Sequence, residues 1–501
     1  MKHLCFYEGE KLVFDADVLL NCAAPDFYMY YDMSRFIGKT LSVKVIPEVA
    51  LDLEMTDTPE YTESLYSEKY RPAAHYSSST GWLNDPNGLV FYEGKYHMFH
   101  QHNPLGTGWG NMHWAHAVSD DLVHWIQLDE ALFPDDFGTM FSGSAIVDEK
   151  NITGFKENEH APLLLYYTAA GNNSYMSHDK PFTQCLAYST DGGKTFRKYD
   201  KNPVIAALGY CERDPKIVYS EQDECYYLII YLKDNSYSIY SSTDLFNFTL
   251  CQEFVLDVDN ECPDLYPLDK NGKTYWVVSG AKACYLIGTL EKGRFIPLQA
   301  AKKLHFGNCS YAAQTFSDVP ESDGRRILIS WNGTNIPDSI FNGTFNTPVS
   351  LSLGEENGKL CLCAYPVKEL ESIHEQCESY DLSAPFKAPL KGKAQDIFLE
   401  ISPKDAQNVS LSLLGFNAVV NTSRGTLEWD EGRSSMPLYM KNGIAIIRIV
   451  TDTNAIEIYA DKGQAYACIT NIADYTLCNL EFSGQAQIKT DVYPLKNIWK
   501  K

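Results

Sequence analysis

The sequence predicts an all-β fold, in which a small N-terminal β module precedes a five-bladed β-propeller and a C-terminal β-sandwich. Helical periodicity is nearly absent from the chain. Instead, short alternating or apolar runs are separated by turn residues at intervals of roughly ten positions, which is typical of all-β proteins. Three hairpins can be placed from their turns, Glu93-Gly94 between the runs 90–92 and 96–99, Asn271-Gly272 between 266–268 and 274–278, and Asp323-Gly324 before 327–331.

The N-terminal module is predicted over residues 1–70. Its strand-like segments are 12–20, 27–31 and 41–45, and an acidic linker follows around residues 52–68. These short runs have the composition of strands rather than helices.

The propeller is predicted over residues 71–360 from an internal repeat. Segments 119–125, 189–196 and 242–248 each follow an apolar strand and contain a polar turn, an Asp, and an aromatic residue four or five positions later. The repeated aspartates Asp121, Asp191 and Asp244 lie 70 and 53 positions apart. Such spacing is close to one four-stranded blade, with insertions in the first gap. We therefore favour about five such units over a β-helix or a sandwich in this region.

The C-terminal β-sandwich is predicted over residues 365–501. Alternating runs at 444–450 and 455–460 are separated by the turn residues Asp452-Thr453-Asn454. Repeated hairpins of this kind at the end of an all-β chain are most simply explained by two packed sheets.

Composition limits the classes of partner. The net charge of −23 and the isoelectric point near 4.9 argue against nucleic acid and anionic membrane, because both would be repelled. A neutral, soluble ligand is expected instead. Aromatic residues make up 13% of the chain, with 33 tyrosines, and they suit both sheet faces and stacking against sugar rings.

Targeting and cysteine patterns predict a cytoplasmic protein. No run approaches 18 apolar residues, and the segment 1–10 becomes acidic too early to form the apolar core of a signal peptide. The 14 cysteines are scattered without a Cys-x-x-Cys pair, as expected of free thiols in a reducing compartment. The sequence leaves open whether the chain forms a homo-oligomer through its β modules.

Asp85 is the first candidate for a catalytic group. It lies in the octapeptide Gly-Trp-Leu-Asn-Asp-Pro-Asn-Gly at 81–88, directly before the apolar run 89–92. The Asn, Pro and Gly residues around it predict a rigid turn that feeds a strand. A carboxylate held in this way is either an Asx turn or a catalytic group at the mouth of a strand. For an isolated motif, the Asx turn is the commoner explanation.

Two further carboxylates occupy comparable positions. Pro215 excludes Asp214 from the helical region, and the neighbouring Arg213 is expected to keep that carboxylate ionised. Glu261 precedes Cys262 and Pro263, and these poorly polar neighbours are expected to raise its pKa as a general acid requires. Taken singly, a surface salt bridge and an exposed loop glutamate are the competing explanations.

The three acids together favour catalysis. In a propeller, the strand starts of successive blades line one central funnel, so acids on three blades converge. One ionised nucleophile, one acid with a raised pKa and one further anion near a developing oxocarbenium ion are what a retaining glycosidase needs.

With these motifs in place, the chain resembles glycoside hydrolase family 32, the β-fructofuranosidases that include invertases, levanases and exo-inulinases. The resemblance covers about residues 70–490 and extends to the motifs at 99–104, 109–119 and 141–145 and to the hairpin at 451–459. It implies that Asp85 is the nucleophile, Glu261 the acid/base and Asp214 the stabiliser of the transition state. It also implies a fructose pocket lined by Asn84, Gln101, Trp109, Phe141, Ser142 and Arg213. For Trp109 and Phe141, packing in the core is the alternative.

Two segments depart from the pattern of the family. Residues 305–309 read His-Phe-Gly-Asn-Cys where the family usually has Asp-Tyr-Gly-x-Asp, and residues 348–351 read Pro-Val-Ser-Leu where it usually has Pro-Arg-Glu-Leu. We expect both segments to lie toward the wall and rim of the pocket.

The expected function is exo-type hydrolysis of terminal β-D-fructofuranosides with retention, on sucrose, fructo-oligosaccharides or fructans. No metal or organic cofactor is implied, and His97, His113 and His116 are expected to be structural or pocket-lining because no acidic third ligand accompanies them. The alternatives are fructosyl transfer by the same acids, an inverting arabinanase or xylosidase, and a non-catalytic fructan-binding protein. The presence of all three acids speaks against a pure binding protein.

Overall fold

The computed structural model describes residues 1–20, 28–49, 53–57, 65–405, 407–472 and 478–499. Strands dominate these residues, which confirms the all-β prediction. The helices among them are short 3-10 segments, Ser34–Phe36, Lys368–Ile373, Asp430–Gly432 and Asp461–Gly463. None of the described helices is long and apolar enough to cross a membrane.

The N-terminal region contains one antiparallel sheet in the order β2-β1-β3. Its strands are β1 (Lys2–Glu8), β2 (Lys11–Val18) and β3 (Ser42–Ile46). The predicted strands at 12–20 and 41–45 therefore exist. In the third, predicted at 27–31, residue 27 lies outside the described residues and 28–31 are irregular, so a strand at 28–31 is wrong. Much of the linker at 52–68 also lies outside the described residues.

Residues 81–366 form five sheets of four or five strands. The first contains β4 to β7, the second β8 to β11, the third β12 to β15, the fourth β16 to β20, and the fifth β21, β22 and β24 to β26, while β23 pairs in parallel with β4. The strands are β4 (Gly81–Tyr92), β5 (Lys95–Asn103), β6 (His113–Ser119), β7 (Trp125–Gln127), β8 (Thr139–Val147), β9 (Leu163–Ala170), β10 (Thr183–Ser189), β11 (Arg197–Lys198), β12 (Arg213–Ser220), β13 (Cys225–Lys233), β14 (Ser236–Ser242), β15 (Thr249–Val255), β16 (Asp264–Lys270), β17 (Lys273–Ser279), β18 (Cys284–Glu291), β19 (Arg294–Pro297), β20 (Lys302–Lys303), β21 (Tyr311–Thr315), β22 (Arg326–Asn332), β23 (Phe341–Asn342), β24 (Thr344–Phe345), β25 (Val349–Glu356) and β26 (Lys359–Pro366).

The first strands of these five sheets contact one another in a closed order. β4 contacts β8, β8 contacts β12, β12 contacts β16, β16 contacts β21, and β21 returns to β4. Apolar side chains fill the space between neighbouring sheets, as where Val90 and Trp114 of the first sheet share a cluster with Met140 and Leu165 of the second. A strand that is covered on both faces can bury all of its residues. In β9, every residue from Leu163 to Ala170 is buried. Segments from distant parts of the sequence are thereby brought side by side at the centre.

The internal repeat corresponds to the same type of turn in three of the sheets. Asp121, Asp191 and Asp244 each lie in the turn after the third strand of a sheet, where an oxygen of the side chain accepts hydrogen bonds from two backbone N–H groups further along the turn. Burial alone would raise the pKa of Asp191, but these bonds and those from Thr195 and Ser189 lower it to about 2. The repeat therefore marks a carboxylate-capped turn. The three predicted hairpin turns also lie between or before strands as expected.

The C-terminal residues form two six-stranded sheets that share one apolar core. The orders are β27-β38-β29-β34-β35-β36 and β28-β37-β30-β31-β32-β33. The strands are β27 (Glu378–Ser383), β28 (Phe386–Pro389), β29 (Gln395–Pro403), β30 (Val409–Leu413), β31 (Phe416–Asn421), β32 (Thr426–Trp429), β33 (Ser434–Pro437), β34 (Ala445–Thr451), β35 (Ala455–Ala460), β36 (Ala465–Thr470), β37 (Asn479–Ser483) and β38 (Ala486–Pro494). The predicted runs at 444–450 and 455–460 are β34 and β35. A separate apolar cluster joins this part to the fourth and fifth sheets.

Candidate active site

Asp85 lies in a strand, so the predicted turn is wrong. Strand β4 runs through the whole octapeptide, and its pairing with β5 shifts by one residue between Leu83 and Pro86 and again between Asn87 and Val90. Each shift is a β-bulge, the place where a strand tolerates the missing N–H of a proline. The turn-forming residues of the motif therefore produce bulges, and the first bulge contains Asp85.

The carboxylate of Asp85 is held by two predicted pocket residues. Ser142 Oγ donates to Oδ2 at 2.6 Å, and Asn84 Nδ2 donates to Oδ1 at 3.1 Å. Asn84 is itself fixed by the indole N–H of Trp82 at 2.8 Å. Burial raises the pKa of Asp85, and the hydrogen bonds from Ser142, Asn84 and Cys262 oppose that rise.

Ser142 reaches Asp85 because its own strand is bulged. The pairing of β8 with β9 shifts between Phe141 and Gly143. A Cβ at Gly143 would meet the carbonyl oxygen of Tyr166 at 1.9 Å, so only glycine lets the two backbones approach this closely. The bulge turns the hydroxyl of Ser142 toward the first sheet.

Asp214 lies in a fourth bulge, at the start of β12. The register shifts between Arg213 and Lys216, and Asp214 has φ = 65°, which costs a non-glycine residue about 1–3 kcal/mol. Its N–H donates to Thr168 Oγ1 at 3.0 Å, and Cys262 N donates to Asp214 Oδ2 at 3.0 Å. The surrounding structure thus holds Asp214 in an unfavourable conformation.

The expectation that Arg213 keeps Asp214 ionised is wrong. Burial raises the pKa of Asp214 to about 7, the charge of Asp85 adds to the rise, and Arg213 opposes it only in part. Arg213 Nε lies 3.8 Å from Asp214 Oδ2, whereas Arg213 Nη2 lies 2.5 Å from Glu261 Oε1. The arginine next to Asp214 in sequence therefore pairs mainly with the carboxylate of another sheet.

The pKa of Glu261 also differs from the sequence prediction, but it is lower than expected, whereas that of Asp214 is higher. Glu261 precedes β16 with φ = 53°, and Cys262 follows with φ = 34°. Burial would raise the pKa of Glu261, but hydrogen bonds from Tyr311 and Arg213, together with the charge of Arg213, lower it. The expected rise in pKa is wrong because Arg213 and Tyr311 arrive from other sheets, which the neighbours of Glu261 in sequence do not reveal.

Cys262 links the acids into one network, here called the site cluster (Asp85, Asp214 and Glu261). Its Sγ lies 3.5 Å from Asp85 Oδ2 and 3.6 Å from Asp214 Oδ2. Burial first, and the neighbouring carboxylates next, raise the pKa of this thiol well above its usual value, so it stays protonated and can donate. The three acids thus converge from the first, third and fourth sheets, as predicted.

The other predicted pocket residues lie around this network without a hydrogen bond to the acids. Gln101 is buried, and its Nε2 donates to the carbonyl of Met140 at 2.7 Å, so it ties β5 to β8. Trp109 is 57% exposed, which excludes core packing for this residue. Its ring meets Phe141 edge-on at 5.9 Å, and Phe141 meets Phe182 at 5.5 Å. These aromatic side chains form a separate group.

Two residues of the network had no role in the sequence analysis. Tyr311 lies in a fifth bulge, at the start of β21, and its hydroxyl donates to Glu261. Thr168 on β9 fixes the backbone of Asp214 and donates to Gln184 at 2.7 Å. Tyr311 begins the segment Tyr-Ala-Ala-Gln at 311–314, two residues after the first departing segment, and this proximity was a usable signal. Nothing near Thr168 in sequence marks it.

The two departing segments contact the C-terminal sheets. His305 bridges in parallel to Tyr466, and the backbone N–H of Cys468 and Thr470 donate to His305 and Asn308 at 2.9 Å each. Residues 349 and 351 are buried in the cluster shared with the C-terminal sheets. Both segments therefore contribute to the junction with those sheets, and their place at the wall and rim of the pocket stays a prediction.

The described residues contain no group of three or more His, Cys, Asp and Glu side chains that could hold a metal ion. His97 and His116 contact each other at 3.0 Å, and His113 contacts Tyr31 and the carbonyl of Asn111. A cavity of about 350 Å³ lies between the N-terminal sheet and the first two sheets, lined among others by Phe36 and Phe133. None of the nine predicted site residues lines it.

Comparison with known proteins identifies a family and close structural relatives. The sequence model of the glycosyl hydrolases family 32 N-terminal domain matches residues 75–363. A levanase of Bacillus subtilis is 31% identical over 87% of this chain and 72% of its own length. A fructan beta-fructosidase of Streptococcus mutans is also 31% identical, and the chain spans only 34% of that protein. The crystal structure of exo-inulinase from Aspergillus awamori has a TM-score of 0.77, with 24% identity, and the match covers 87% of this chain and 100% of that one.

Proposed function

The chain belongs to glycosyl hydrolase family 32 and is a glycoside hydrolase, and we propose that it releases terminal β-D-fructofuranosyl units with retention of configuration. The substrates are sucrose, fructo-oligosaccharides or fructans. The names of the relatives support the fructosyl unit, since they include levanase, fructan beta-fructosidase and exo-inulinase. A neutral sugar also suits a chain with a net charge of −23.

The proposal includes the architecture that brings the acids together. The five sheets of residues 81–366 are the blades of one propeller, and the two six-stranded sheets are a β-sandwich. The closed order of contacts among β4, β8, β12, β16 and β21 supports the first statement, and the shared apolar core supports the second. The three acids lie at or just before the start of innermost strands, Asp85 in β4, Asp214 in β12 and Glu261 before β16, where the ligands of a propeller meet its axis.

The observation that carries the proposal is the convergence of three carboxylates with separate partners. Asp85 is held by Ser142 and Asn84 and can attack the anomeric carbon of fructose, forming a covalent ester as the bond to the leaving oxygen breaks. Glu261 gives its proton to that oxygen and then takes one from the water that hydrolyses the ester, which returns Asp85 to its carboxylate. Asp214 stabilises the positive charge that develops on the ring.

The proton inventory of the site cluster constrains this cycle. In the free protein, Asp214 with its pKa of about 7 is about half protonated at neutral pH, while Arg213 and Tyr311 keep Glu261 ionised. Cleavage needs that same proton on Glu261. Because interacting carboxyl groups titrate as one set, the number of protons in the cluster, and not the preferred position in the free protein, sets the active fraction. Binding of the sugar must then move the proton to Glu261.

Fructosyl transfer and simple binding are the remaining alternatives. Transfer uses the same acids with a sugar in place of water. A binding protein would not need a strained Asp214 or a hydroxyl directed at Glu261 by a bulged strand. Those features support turnover over binding.

Fructose release from sucrose, inulin and levan tests the proposal. We expect release from at least one of them, initial formation of the β anomer by NMR, and no release by Asp85→Ala. Initial formation of the α anomer would indicate inversion. Fructosyl oligosaccharides as the main products at high sucrose would indicate a transferase, and binding without release would leave only the non-catalytic alternative.

A further inference from the structure

We propose that the N-terminal sheet positions Trp109 and is thereby a working part of the sugar-binding site. The inference rests on the proposed function and on the place of Trp109 in the fructose pocket, which the resemblance to the family implies. It assigns a role to a region that lies before residues 75–363, the part matched by the family model.

The loop that carries Trp109 lies at the same end of the first sheet as the acids. Trp82, at the start of β4, pairs with Asn103, the last residue of β5. The loop 104–112 follows Asn103 directly and returns the chain to β6. A change in this loop is therefore transmitted to the mouth of the site and not to the far side of the sheet.

The loop cannot fix Trp109 by itself. Glycines occupy positions 106, 108 and 110, so every second residue around the tryptophan has a wide choice of backbone conformations. The indole is 57% exposed, and an exposed side chain gains little from burial to offset the entropy lost on ordering. External anchors must hold the loop in place.

The N-terminal sheet provides an anchor on each side of Trp109. Leu105 packs against the apolar core of that sheet, together with residues such as Phe14 and Val45. Asn111 exchanges two hydrogen bonds with the backbone of Asp17, accepting from its N–H at 2.8 Å and donating to its carbonyl at 2.7 Å. The main sheets contribute Asn103 and Asn342, which donate to the carbonyls of residues 108 and 107 at 2.8 and 3.1 Å.

The same N-terminal sheet also holds the loop that follows β9. The carboxylate of Asp15 accepts from the backbone N–H of Tyr175 and Met176 at 3.0 and 3.1 Å. This loop leads to Phe182, whose ring meets Phe141, which in turn meets Trp109. The N-terminal sheet therefore contacts both loops whose aromatic side chains come together beside the site cluster. None of these contacts involves Asp85, Asp214 or Glu261. Removal of the sheet should weaken binding of the sugar and spare the chemistry.

A double-mutant cycle between Leu105→Ala and Trp109→Ala tests the inference in the full chain. Leu105→Ala should raise KM for a fructo-oligosaccharide about fivefold to tenfold, which is the scale of one lost contact of about 1–1.4 kcal/mol, with kcat unchanged within about twofold. In the Trp109→Ala background, Leu105→Ala should have no further effect on KM, because the side chain that it positions is gone. Lys44→Ala truncates an exposed side chain of β3 that is not part of this apolar core, and it should leave KM unchanged.

Asn111→Asp is a second variant, for the case in which Leu105→Ala does not fold. It loses the hydrogen bond donated to Asp17 and should raise KM in the same direction. Independent, additive effects of Leu105→Ala and Trp109→Ala would overturn the inference, as would an unchanged KM in both Leu105→Ala and Asn111→Asp. Fructose release by the unaltered chain decides the proposed function separately, so an active enzyme with additive effects refutes the inference alone.

Discussion

Two clusters of this chain each place carboxylates beside a basic side chain, and they behave in opposite ways. The site cluster places Asp85, Asp214 and Glu261 near one arginine. The junction cluster (His75, Asp452 and Glu457) joins the segment before β4 to the hairpin of β34 and β35. His75 Nδ1 lies 2.8 Å from Asp452 Oδ2, and its Nε2 lies 3.4 Å from Glu457 Oε1. Burial acts to raise the pKa of Asp214 in one cluster and of Glu457 in the other, so this effect alone does not distinguish them.

Hydrogen bonds and backbone geometry do distinguish them. In the junction cluster, the N–H groups of Ala73 and Ala74 donate to Asp452 at 2.9 and 2.8 Å, and that of Thr347 donates to Glu457 at 2.9 Å. Burial would raise the pKa of Glu457, but His75 lowers it, and the pKa of His75 rises to about 10. In the site cluster, Asp214 has a raised pKa and an unfavourable φ. The junction cluster stabilises the fold, whereas the site cluster stores unfavourable energy in exchange for reactivity.

The largest effect should come from Asp85→Ala. The nucleophile has no substitute, so kcat should fall by at least about 10²–10⁴, the scale for loss of one essential catalytic group. Steady-state fructose release measures the loss, and circular dichroism checks that the fold remains. The matched change in the other cluster, Asp452→Asn, should keep kcat per folded molecule and lower the thermal midpoint. Comparable activity losses in the two variants would remove the distinction between the clusters.

His75→Ala should separate the clusters by stability. Removing one partner of a buried ion pair typically costs about 3–5 kcal/mol, and kcat should stay within about twofold while the protein is folded. Because folding raises the pKa of His75, its contribution is complete below about pH 6.5 and is lost as pH rises through about 10. The difference in thermal midpoint between His75→Ala and the unaltered chain should shrink over that range. The exposed pair His124 and Asp121 offers a control, since His124→Ala should change stability by less than about 0.5 kcal/mol.

The sequence predicted local structure well wherever short-range chemistry decides it. Turn dipeptides located the hairpins, the capped aspartates located the turn after the third strand, and alternating runs located β34 and β35. The prediction that 81–88 forms a turn was wrong for a local reason too, because Asn, Pro and Gly also suit a β-bulge. Only the pairing partner, β5, distinguishes a bulge from a turn, and that partner is not visible within the motif.

The sequence predicted which acids converge and not how their protons are distributed. The convergence follows from topology, since each acid lies at the start of a first strand. The pKa values depend on groups from other sheets. Tyr311 and Arg213 reach Glu261 across 50 and 48 positions of sequence, and Asp85 and Asp214 repel each other across sheets. Inferring the surroundings of Asp214 from Arg213, and those of Glu261 from Cys262 and Pro263, therefore gave the wrong direction of the pKa shift for both acids.

Asp214→Asn should reveal the stored energy directly. The pKa of Asp214 rises from 3.8 to about 7 on folding, so its ionisation makes the folded state less stable as pH rises from about 4 to about 7. An amide does not ionise, and the variant should be more stable than the unaltered chain at pH 8, by roughly 1–3 kcal/mol. Its kcat should fall by roughly 10²–10⁴ with a smaller change in KM. A variant that is less stable at pH 8, or that changes mainly KM, would place Asp214 with the structural acids.

The smallest effect expected is a shift of the pH profile in Tyr311→Phe. The unaltered chain should lose kcat/KM as pH rises above about 7, where the site cluster gives up its last proton. The Tyr311 hydroxyl favours the ionised form of Glu261, so its removal should make the proton harder to lose and move the basic limb upward. A hydrogen bond worth about 0.5–1.5 kcal/mol corresponds to roughly 0.4–1 pH units. The junction cluster supplies the control, because the Tyr459 hydroxyl donates to Glu457 at 2.9 Å and Tyr459→Phe should leave the limb where it is. A downward shift in Tyr311→Phe, or an equal shift in both variants, would mean that the limb reports a group other than the proton shared by the site cluster.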